Sequence, residues 1–202
     1  MFTVAELFAE WADIFKNNIE YLTELDSVAG DADLGLVMND GFSKTSEFVK
    51  NSEEKDVGKL LFQAGKYFNS VASSSMGTLL SAGFMNAGKK LRGKEELAEN
   101  DCYTILQGIG EGVQNIGQAK EGEKTFLDGM LPAVRALENM TDLKADLNKA
   151  CEAAAEGVET AKNLVGKHGR IAFRGEASVG IVDPGSVVAK LLVEGMKNLA
   201  DR

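Results

Sequence analysis

Apolar residues recur every three or four positions along most of the chain, the spacing that places side chains on one face of an α-helix. After a capping-box start at Thr3–Glu6, the first segment with this spacing carries Leu7, Phe8, Trp11, Ile14, Phe15, Ile19, Leu22 and Leu25. No stretch alternates convincingly with a period of two, so we expect no β-sheet. The pattern predicts an all-α fold.

Seven further helices follow the first, each with its own apolar stripe. They are predicted over about Leu36–Val49, Asp56–Phe68, Leu79–Leu91, Asn100 or Asp101 to Ile116, Thr125–Leu137, Leu143–Leu164 and Pro184–Met196. Pro132 is placed near the beginning of its helix, where proline is tolerated. Eight helices joined by loops describe an all-α bundle or barrel, with residues 1–202 as one domain.

Glycine and serine are concentrated in alternate loops. These are 26–35, 70–78, 117–124 and 166–185, whereas the connections near residues 51, 94 and 141 are merely charged and polar. In an up-and-down arrangement alternate loops lie at the same end. The asymmetry predicts one composite site at one end of the bundle.

The first of these loops carries three carboxylates, Asp26, Asp31 and Asp33, with Gly30 and Gly35 among them. No lysine or arginine stands beside them, so carboxylates that converged in a dry site would repel one another strongly. A hard divalent cation such as Mg²⁺ relieves that repulsion and prefers carboxylate oxygens. The alternative is a solvated acidic loop between two helices, and spacing alone does not decide between the two.

The other loops offer chemistry that also has a plainer structural reading. Ser73–Thr78 could bind an anion at a helix start or could only cap that helix. Lys124 could meet a phosphate or be solvated, and Arg170 could pair with a phosphate or stack on a base. Asp183 could likewise serve only as a helix cap. His168 is the single histidine, and no Ser-His-Asp or Cys-His arrangement suggests a protein nucleophile.

Composition excludes several classes of protein. The net charge of −9 argues against a nucleic-acid surface but not against a nucleotide, whose few phosphates can be held by metal and backbone N–H groups. Cys102 and Cys151 match no zinc or redox spacing and are expected to be small core residues. No apolar run could span a bilayer and no signal peptide is evident, so we expect a cytoplasmic protein with no membrane partner.

Four stretches resemble, in order, the signatures of one enzyme family. They are Gly30-Asp31-Ala32-Asp33-Leu34-Gly35, Ser73 to Ser81, Gly122 to Asp128, and Gly169-Arg170 through Asp183-Pro184-Gly185. Together they make the chain similar to the nucleotide-binding L subunit of phosphotransferase-system-dependent dihydroxyacetone kinase. The same domain forms the C-terminal part of the ATP-dependent single-chain kinase. The resemblance implies a barrel of eight antiparallel helices with ADP or ATP bound at one end.

The resemblance also implies the ligand-binding residues. Asp26, Asp31 and Asp33 match three aspartates that hold two Mg²⁺ ions against the nucleotide phosphates. The positions that match nucleotide contacts are Leu34, Gly35, Leu36, Val37, Ser75, Met76, Gly77, Gly117, Phe126, Arg170, Asp183, Pro184 and Gly185. None of these residues is expected to be a catalytic nucleophile.

Two protein partners are implied as well. In the family, ADP is a tightly held cofactor that a phosphohistidine protein rephosphorylates in place. The ATP so formed phosphorylates dihydroxyacetone on a ketose-binding kinase subunit. Free ATP as the donor, another short-chain ketose as the substrate, and a homodimer all remain compatible with the sequence.

The chain departs from the family pattern on the nucleotide side. Ala32 replaces a glycine, Leu34 a histidine, Val37 an asparagine and Met76 a serine. Each lost polar group is expected to weaken phosphate contacts by about 1 kcal/mol. An alternative function is therefore a non-catalytic regulatory paralogue that binds nucleotide or a kinase partner. A fatty-acid-kinase-like nucleotide domain ranks third, because that family typically carries Pro-Asp-Gly-Asp-Thr-Gly-Thr-Asn-Met and continues into further domains.

Overall fold

The computed structural model describes residues 2–202, and over that range it contains nine α-helices, one 3-10 helix and no β-strand. The helices are α1 (Val4–Asn17), α2 (Ile19–Ser27), α3 (Leu34–Lys50), α4 (Val57–Val71), α5 (Ser75–Lys90), α6 (Asp101–Gly117), α7 (Phe126–Ala136), α8 (Leu143–Lys162) and α9 (Pro184–Ala200). The 3-10 helix, Arg170–Ser178, lies between α8 and α9. The predicted all-α class is confirmed. None of the helices in this range is long and apolar enough to cross a membrane.

The helices form a closed ring. Helix α1 packs against α3, each of α3 to α8 packs against the next helix in the chain, and α9 packs back against α1. The connections 28–33, 72–74, 118–125 and 163–183, which alternate along the chain, all contribute to one cavity. This is the up-and-down arrangement expected from the alternation of loop composition, with the short α2 lying against α3.

The first predicted helix is divided in two at Asn18. This residue leaves the helical conformation (φ −114°, ψ 15°), and its side-chain amide donates to the carbonyl of Ile14 at 2.7 Å. Asparagine competes for backbone hydrogen bonds in this way and so disfavours a helix interior. The apolar periodicity continues through the break, which is why it predicted one helix rather than α1 and α2.

Aromatic side chains fill the middle of the ring. Trp11 is fully buried, and its indole N–H donates to the carbonyl of Leu192 at 2.9 Å. Phe15 and Phe42 stack with ring centroids 4.2 Å apart, and Phe84 stacks on Trp11. Such pairs stabilise a core beyond their buried area. The ring therefore encloses a packed core, and the ligand-sized cavity lies at its end.

Pro132 lies in the interior of α7 and not near its beginning as the sequence suggested. Proline has no N–H, so it cannot donate to the carbonyl of Asp128 four residues earlier. Helix α8 passes close to that carbonyl, because a Cβ atom at Gly157 would lie only 2.0 Å from the Asp128 oxygen. The proline and the glycine therefore belong to one close crossing of α7 and α8.

The two cysteines are inert core residues. Cys102 is buried and Cys151 is half-buried, as predicted. Burial raises the pKa of the Cys102 thiol to about 12 and that of the Cys151 thiol to about 11. Neither forms the thiolate that reactive cysteines require.

Replacing Gly157 with alanine should lower the free energy of unfolding by about 1–3 kcal/mol, because the new Cβ must displace the backbone of α7. Urea denaturation followed by circular dichroism measures this. Gly110→Ala is the matched control, since a Cβ there meets only flexible side-chain atoms of Met130 and Leu131 at 3.3 and 3.5 Å. The control should be neutral or stabilising, and an equal loss in both variants would contradict the close crossing.

Candidate functional site

A cavity of about 510 Å³ lies at the end of the ring where the four loops meet. Its volume falls within the usual range of small-molecule sites. Twelve of the sixteen residues predicted to bind metal or nucleotide line it: Asp26, Asp31, Asp33, Leu34, Ser75, Met76, Gly117, Phe126, Arg170, Asp183, Pro184 and Gly185. The predicted composite site is thus one continuous space.

Three carboxylates converge at one side of this cavity. Asp26, Asp31 and Asp33 each offer an oxygen, and these oxygens all lie within 4.8 Å of one another. The pKa of Asp33 is raised, first by loss of surrounding water and then by the negative charges of Asp31 and Asp26. The cluster is therefore electrostatically unfavourable without a counter-ion, which is the condition expected of a cation site.

The backbone around the cluster explains how it forms. The Asp26 carboxylate accepts hydrogen bonds from the N–H groups of Asp33 and Leu34 at 3.1 and 3.4 Å and so caps the start of α3. Asp33 precedes α3 but makes no capping bond of its own, which leaves its carboxylate to the cluster. Gly30 is required because a Cβ there would lie 1.9 Å from an Asp26 oxygen.

Ala32 stands between two of the aspartates in a left-handed conformation, with φ of 62°. Glycine adopts this region without cost, whereas alanine is strained there by about 1 kcal/mol. The turn that brings Asp31 and Asp33 together therefore contains a strained residue, which lowers the stability of the folded protein.

One cation reaches the cluster from a distant part of the chain. The segment between α8 and α9, residues 163–183, is called the strap below. Its Arg170 pairs with Asp31 at 2.5 Å, and its Arg174 donates to the carbonyl of Val28. Arg170 therefore brings to the acidic loop a positive charge that the neighbouring sequence does not contain.

The serine-rich loop does cap a helix. Ser74 accepts a hydrogen bond from the N–H of Gly77 at 3.0 Å at the start of α5. Ser73, Ser74 and Ser75 also line the cavity, so capping and a ligand contact are compatible. Met76 reaches across to the last loop, where its methyl group would lie 3.0 Å from a Cβ at Gly185.

Lys124 lines the cavity, but its ammonium group is hydrogen-bonded to the end of α8. It is 1% exposed, and its ammonium group donates to the carbonyls of Ala161 and Lys162 at 2.9 and 3.0 Å. Asp183 caps α9 by accepting from the N–H of Ser186 at 2.6 Å. Burial raises the pKa of Asp183 to about 7, helped by the charge of Asp128 and opposed by Ser186 and Lys124.

His168 also has a partner that its sequence neighbours did not indicate. Its Nε2 lies 2.7 Å from a carboxylate oxygen of Glu123, and the imidazole borders the cavity. The hydrogen bond with His168 is the largest cause that lowers the pKa of Glu123. This pair joins the strap to the loop between α6 and α7.

Four of the predicted contact residues do not line the cavity. A Cβ at Gly35 would lie 2.1 Å from the carbonyl of Ile19, and one at Gly77 would lie 1.8 Å from that of Ala72, so both glycines serve close packing. Leu36 is 59% exposed, and Val37 is packed against the core.

An apolar wall of the cavity had no distinguishing signal in the sequence. It includes Leu79, Val113, Ala119 and Val182. The first two have the same helical spacing as core residues, and only their position near a helix end places them beside the cavity. A cavity lined by both acidic and apolar residues suits a ligand that has both a charged and a flat apolar part.

Comparison with known proteins identifies the family. A model of the DAK2 domain matches residues 28–198, most of the chain. The chain belongs to the DAK2 domain family. The resemblance inferred from the four motifs is confirmed.

Relatives of this DAK2 chain match it along nearly their whole length. The ADP-binding subunit of PEP-dependent dihydroxyacetone kinase from Escherichia coli (strain K12) is 32% identical over 186 residues, 90% of this chain and 89% of that protein. The ADP-binding subunit of PTS-dependent dihydroxyacetone kinase from Lactococcus lactis subsp. lactis (strain IL1403) is 28% identical over 192 residues, 95% of this chain and 94% of that protein.

A solved structure shares the DAK2 fold. It is the crystal structure of the dihydroxyacetone kinase from C. freundii in complex with AMP-PNP and Mg²⁺, with a TM-score of 0.74 at 20% identity. The match covers 97% of this chain and 33% of that one, so this chain spans about a third of the larger kinase.

Replacing Ala32 with glycine should raise the free energy of unfolding by about 1 kcal/mol, because glycine relieves the left-handed strain. Thermal or urea denaturation measures the change. Ala29→Gly is the control in the same loop, since the backbone at Ala29 has no positive φ. Stabilisation by both substitutions, or by neither, would contradict strain at Ala32.

Replacing Asp33 with asparagine should raise the melting temperature of the metal-free protein at pH 7. A carboxyl whose folded pKa is raised contributes stability at low pH and loses it as pH rises through that pKa. Asparagine does not ionise, so the variant keeps this stability at pH 7. Below about pH 4 the carboxyl of Asp33 is protonated, and the difference in melting temperature between the variant and the unchanged protein should vanish. Calorimetry in EDTA tests it, with Asp40→Asn, an exposed carboxylate paired with Lys44, as the control. A lower melting temperature for the Asp33 variant at pH 7 would count against repulsion within the cluster.

Proposed function

We propose that residues 1–202 act as one nucleotide-binding domain, the ADP-binding subunit of a dihydroxyacetone kinase. The observation that carries the proposal is the convergence of Asp26, Asp31 and Asp33 in a cavity that is also lined by apolar residues. The names of relatives that match along almost their whole length point the same way.

The residues present fit a hard divalent cation. The three carboxylates supply only oxygen ligands, the type that Mg²⁺ prefers, and Arg170 offers one positive charge against three negative ones. The charge balance and the relative's complex with Mg²⁺ support a metal here, and two ions are proposed from the family resemblance. Bound Mg²⁺ would neutralise charge on the phosphate oxygens during phosphoryl transfer.

This chain's own residues would position the nucleotide. Arg170, which pairs with Asp31 in the structure, carries a guanidinium that can take a phosphate in bidentate fashion. Phe126 and Gly117 line the cavity, where they would cover a base and exclude water. Phosphoryl transfer depends on such positioning and charge stabilisation more than on a protein nucleophile.

Partner proteins complete the proposal. A phosphohistidine protein would phosphorylate the bound ADP, and the resulting ATP would phosphorylate a short-chain ketose held on a second kinase subunit. We expect these encounters at the end of the ring that carries the cavity and within the cytoplasm. A homodimer of this chain is compatible with the proposal but not required by it.

A regulatory protein is the second candidate, and specific residues favour it. Leu34 and Met76 replace polar residues of the family pattern, and both line the cavity with apolar atoms. Leu34 is only 7% exposed and packs into the core. A cavity with fewer phosphate contacts could sense a nucleotide or a kinase partner without turnover.

Isothermal titration with ADP tests the kinase-subunit proposal. Binding by the unchanged protein should require Mg²⁺, and Asp31→Ala should weaken it at least about tenfold, which corresponds to about 1.4 kcal/mol. The control, Asp40→Ala, alters an exposed carboxylate that ion-pairs with Lys44 on α3 and should bind normally. No detectable ADP binding, or equal binding by the Asp31 variant, would refute the kinase-subunit proposal.

A further inference from the structure

Lys124 is the most unusual charged residue of the cavity wall. Its side chain is almost entirely buried, and burying an ammonium group is costly unless strong partners compensate. Its backbone has φ of 61°, a left-handed conformation that glycine would adopt more easily. Neither condition favours lysine, so the retained side chain must make a compensating interaction.

The partners of the ammonium group are backbone carbonyls. Nζ donates to the carbonyls of Ala161 and Lys162, in the last turn of α8, where the helix dipole is negative. The Lys162 carbonyl also accepts the N–H of Gly180 at 2.8 Å, near the end of the strap. One ammonium group therefore connects the loop between α6 and α7, the end of α8 and the strap.

Charge extends this connection to the start of α9. Lys124 is attracted to Asp183 and Asp128, and this attraction opposes the lowering of the Lys124 pKa that burial causes. Asp183 in turn holds the first turn of α9 through the N–H of Ser186. Because Lys124 and Asp183 both line the cavity, the network forms part of its wall.

We infer that Lys124 is a positioning residue of the nucleotide site, which acts through the end of α8, the strap and Asp183 and makes no contact with phosphate. Two of its three N–H donors are already used by the carbonyls of Ala161 and Lys162. The inference relies on the proposed function for the identity of the ligand. The effect of Lys124 on the cavity wall is measured in the protein without any ligand.

The first test uses ligand-free Lys124→Met, which keeps the length of the side chain and removes its charge and donors. Hydrogen exchange of the Gly180 amide should accelerate at least about tenfold, because its acceptor carbonyl loses the fixed position. The protonation midpoint of Asp183, followed by carbon NMR of its carboxyl, should rise by about one unit. Lys120→Met, an exposed lysine in the same loop, should change neither quantity.

Binding of AMP and of ADP with Mg²⁺ separates positioning from contact. A positioning residue predicts that Lys124→Met weakens both ligands by the same factor, because the whole wall shifts. A loss confined to ADP, with Gly180 exchange and the Asp183 midpoint unchanged, would overturn the inference. If the unchanged protein binds neither ligand, the proposed function fails, while Gly180 exchange and the Asp183 midpoint still decide the role of Lys124.

A second measurement needs no variant and remains decisive if Lys124→Met does not fold. The buried ammonium of Lys124 should give a proton–nitrogen signal in NMR spectra of the unchanged protein, because its protons exchange slowly with water. A signal that stays in place on saturation with ADP and Mg²⁺ supports the positioning role. A nitrogen–phosphorus coupling across a hydrogen bond from Nζ would contradict it.

Discussion

Mutual repulsion among Asp26, Asp31 and Asp33 is the constraint around which the candidate site is arranged. The pKa of Asp33 is raised first by burial and then by the charges of Asp31 and Asp26, and carboxylate oxygens within 4.8 Å of one another place the cluster under electrostatic strain. The surrounding backbone adds to it, since Ala32 takes a left-handed conformation to complete the turn. A chain that holds three carboxylates in this way is organised to receive positive charge at this place.

The ring of helices makes that arrangement possible. The up-and-down order of the helices brings four loops to the same end, and stacked aromatic side chains fill the middle of the ring. The strap then crosses the acidic loop and contributes Arg170, while Lys124 connects the strap to α8. The candidate site is therefore assembled from segments far apart in the sequence, with the nucleotide-sized cavity enclosed between them.

Local rules predicted much of this structure. Helical periodicity located the helices, and the helix predicted from Thr125 begins there with a capping box formed by Thr125 and Asp128. The alternation of glycine-rich loops predicted that four of them would share an end, and they do. These features depend on residues close together in the chain, which is why the sequence alone could indicate them.

The remaining features depend on contacts between distant residues. Asp31 and Arg170 are separated by 139 positions, so nothing near either residue indicated their ion pair. Lys124 had the sequence context of a phosphate-binding or solvated lysine, and only the approach of α8 buries it. The break at Asn18 is a local exception, since its side-chain hydrogen bond to the carbonyl of Ile14 is concealed by the uninterrupted apolar pattern.

A crystal structure of the protein with ADP and Mn²⁺, read by anomalous scattering, tests the central claim most directly. We predict manganese peaks bonded to oxygens of Asp26, Asp31 and Asp33, with the ADP phosphates on their other side and the base against Phe126. Manganese elsewhere, or nucleotide in the cavity with no metal at the three aspartates, would contradict the claim that this carboxylate cluster is the metal centre of a nucleotide site.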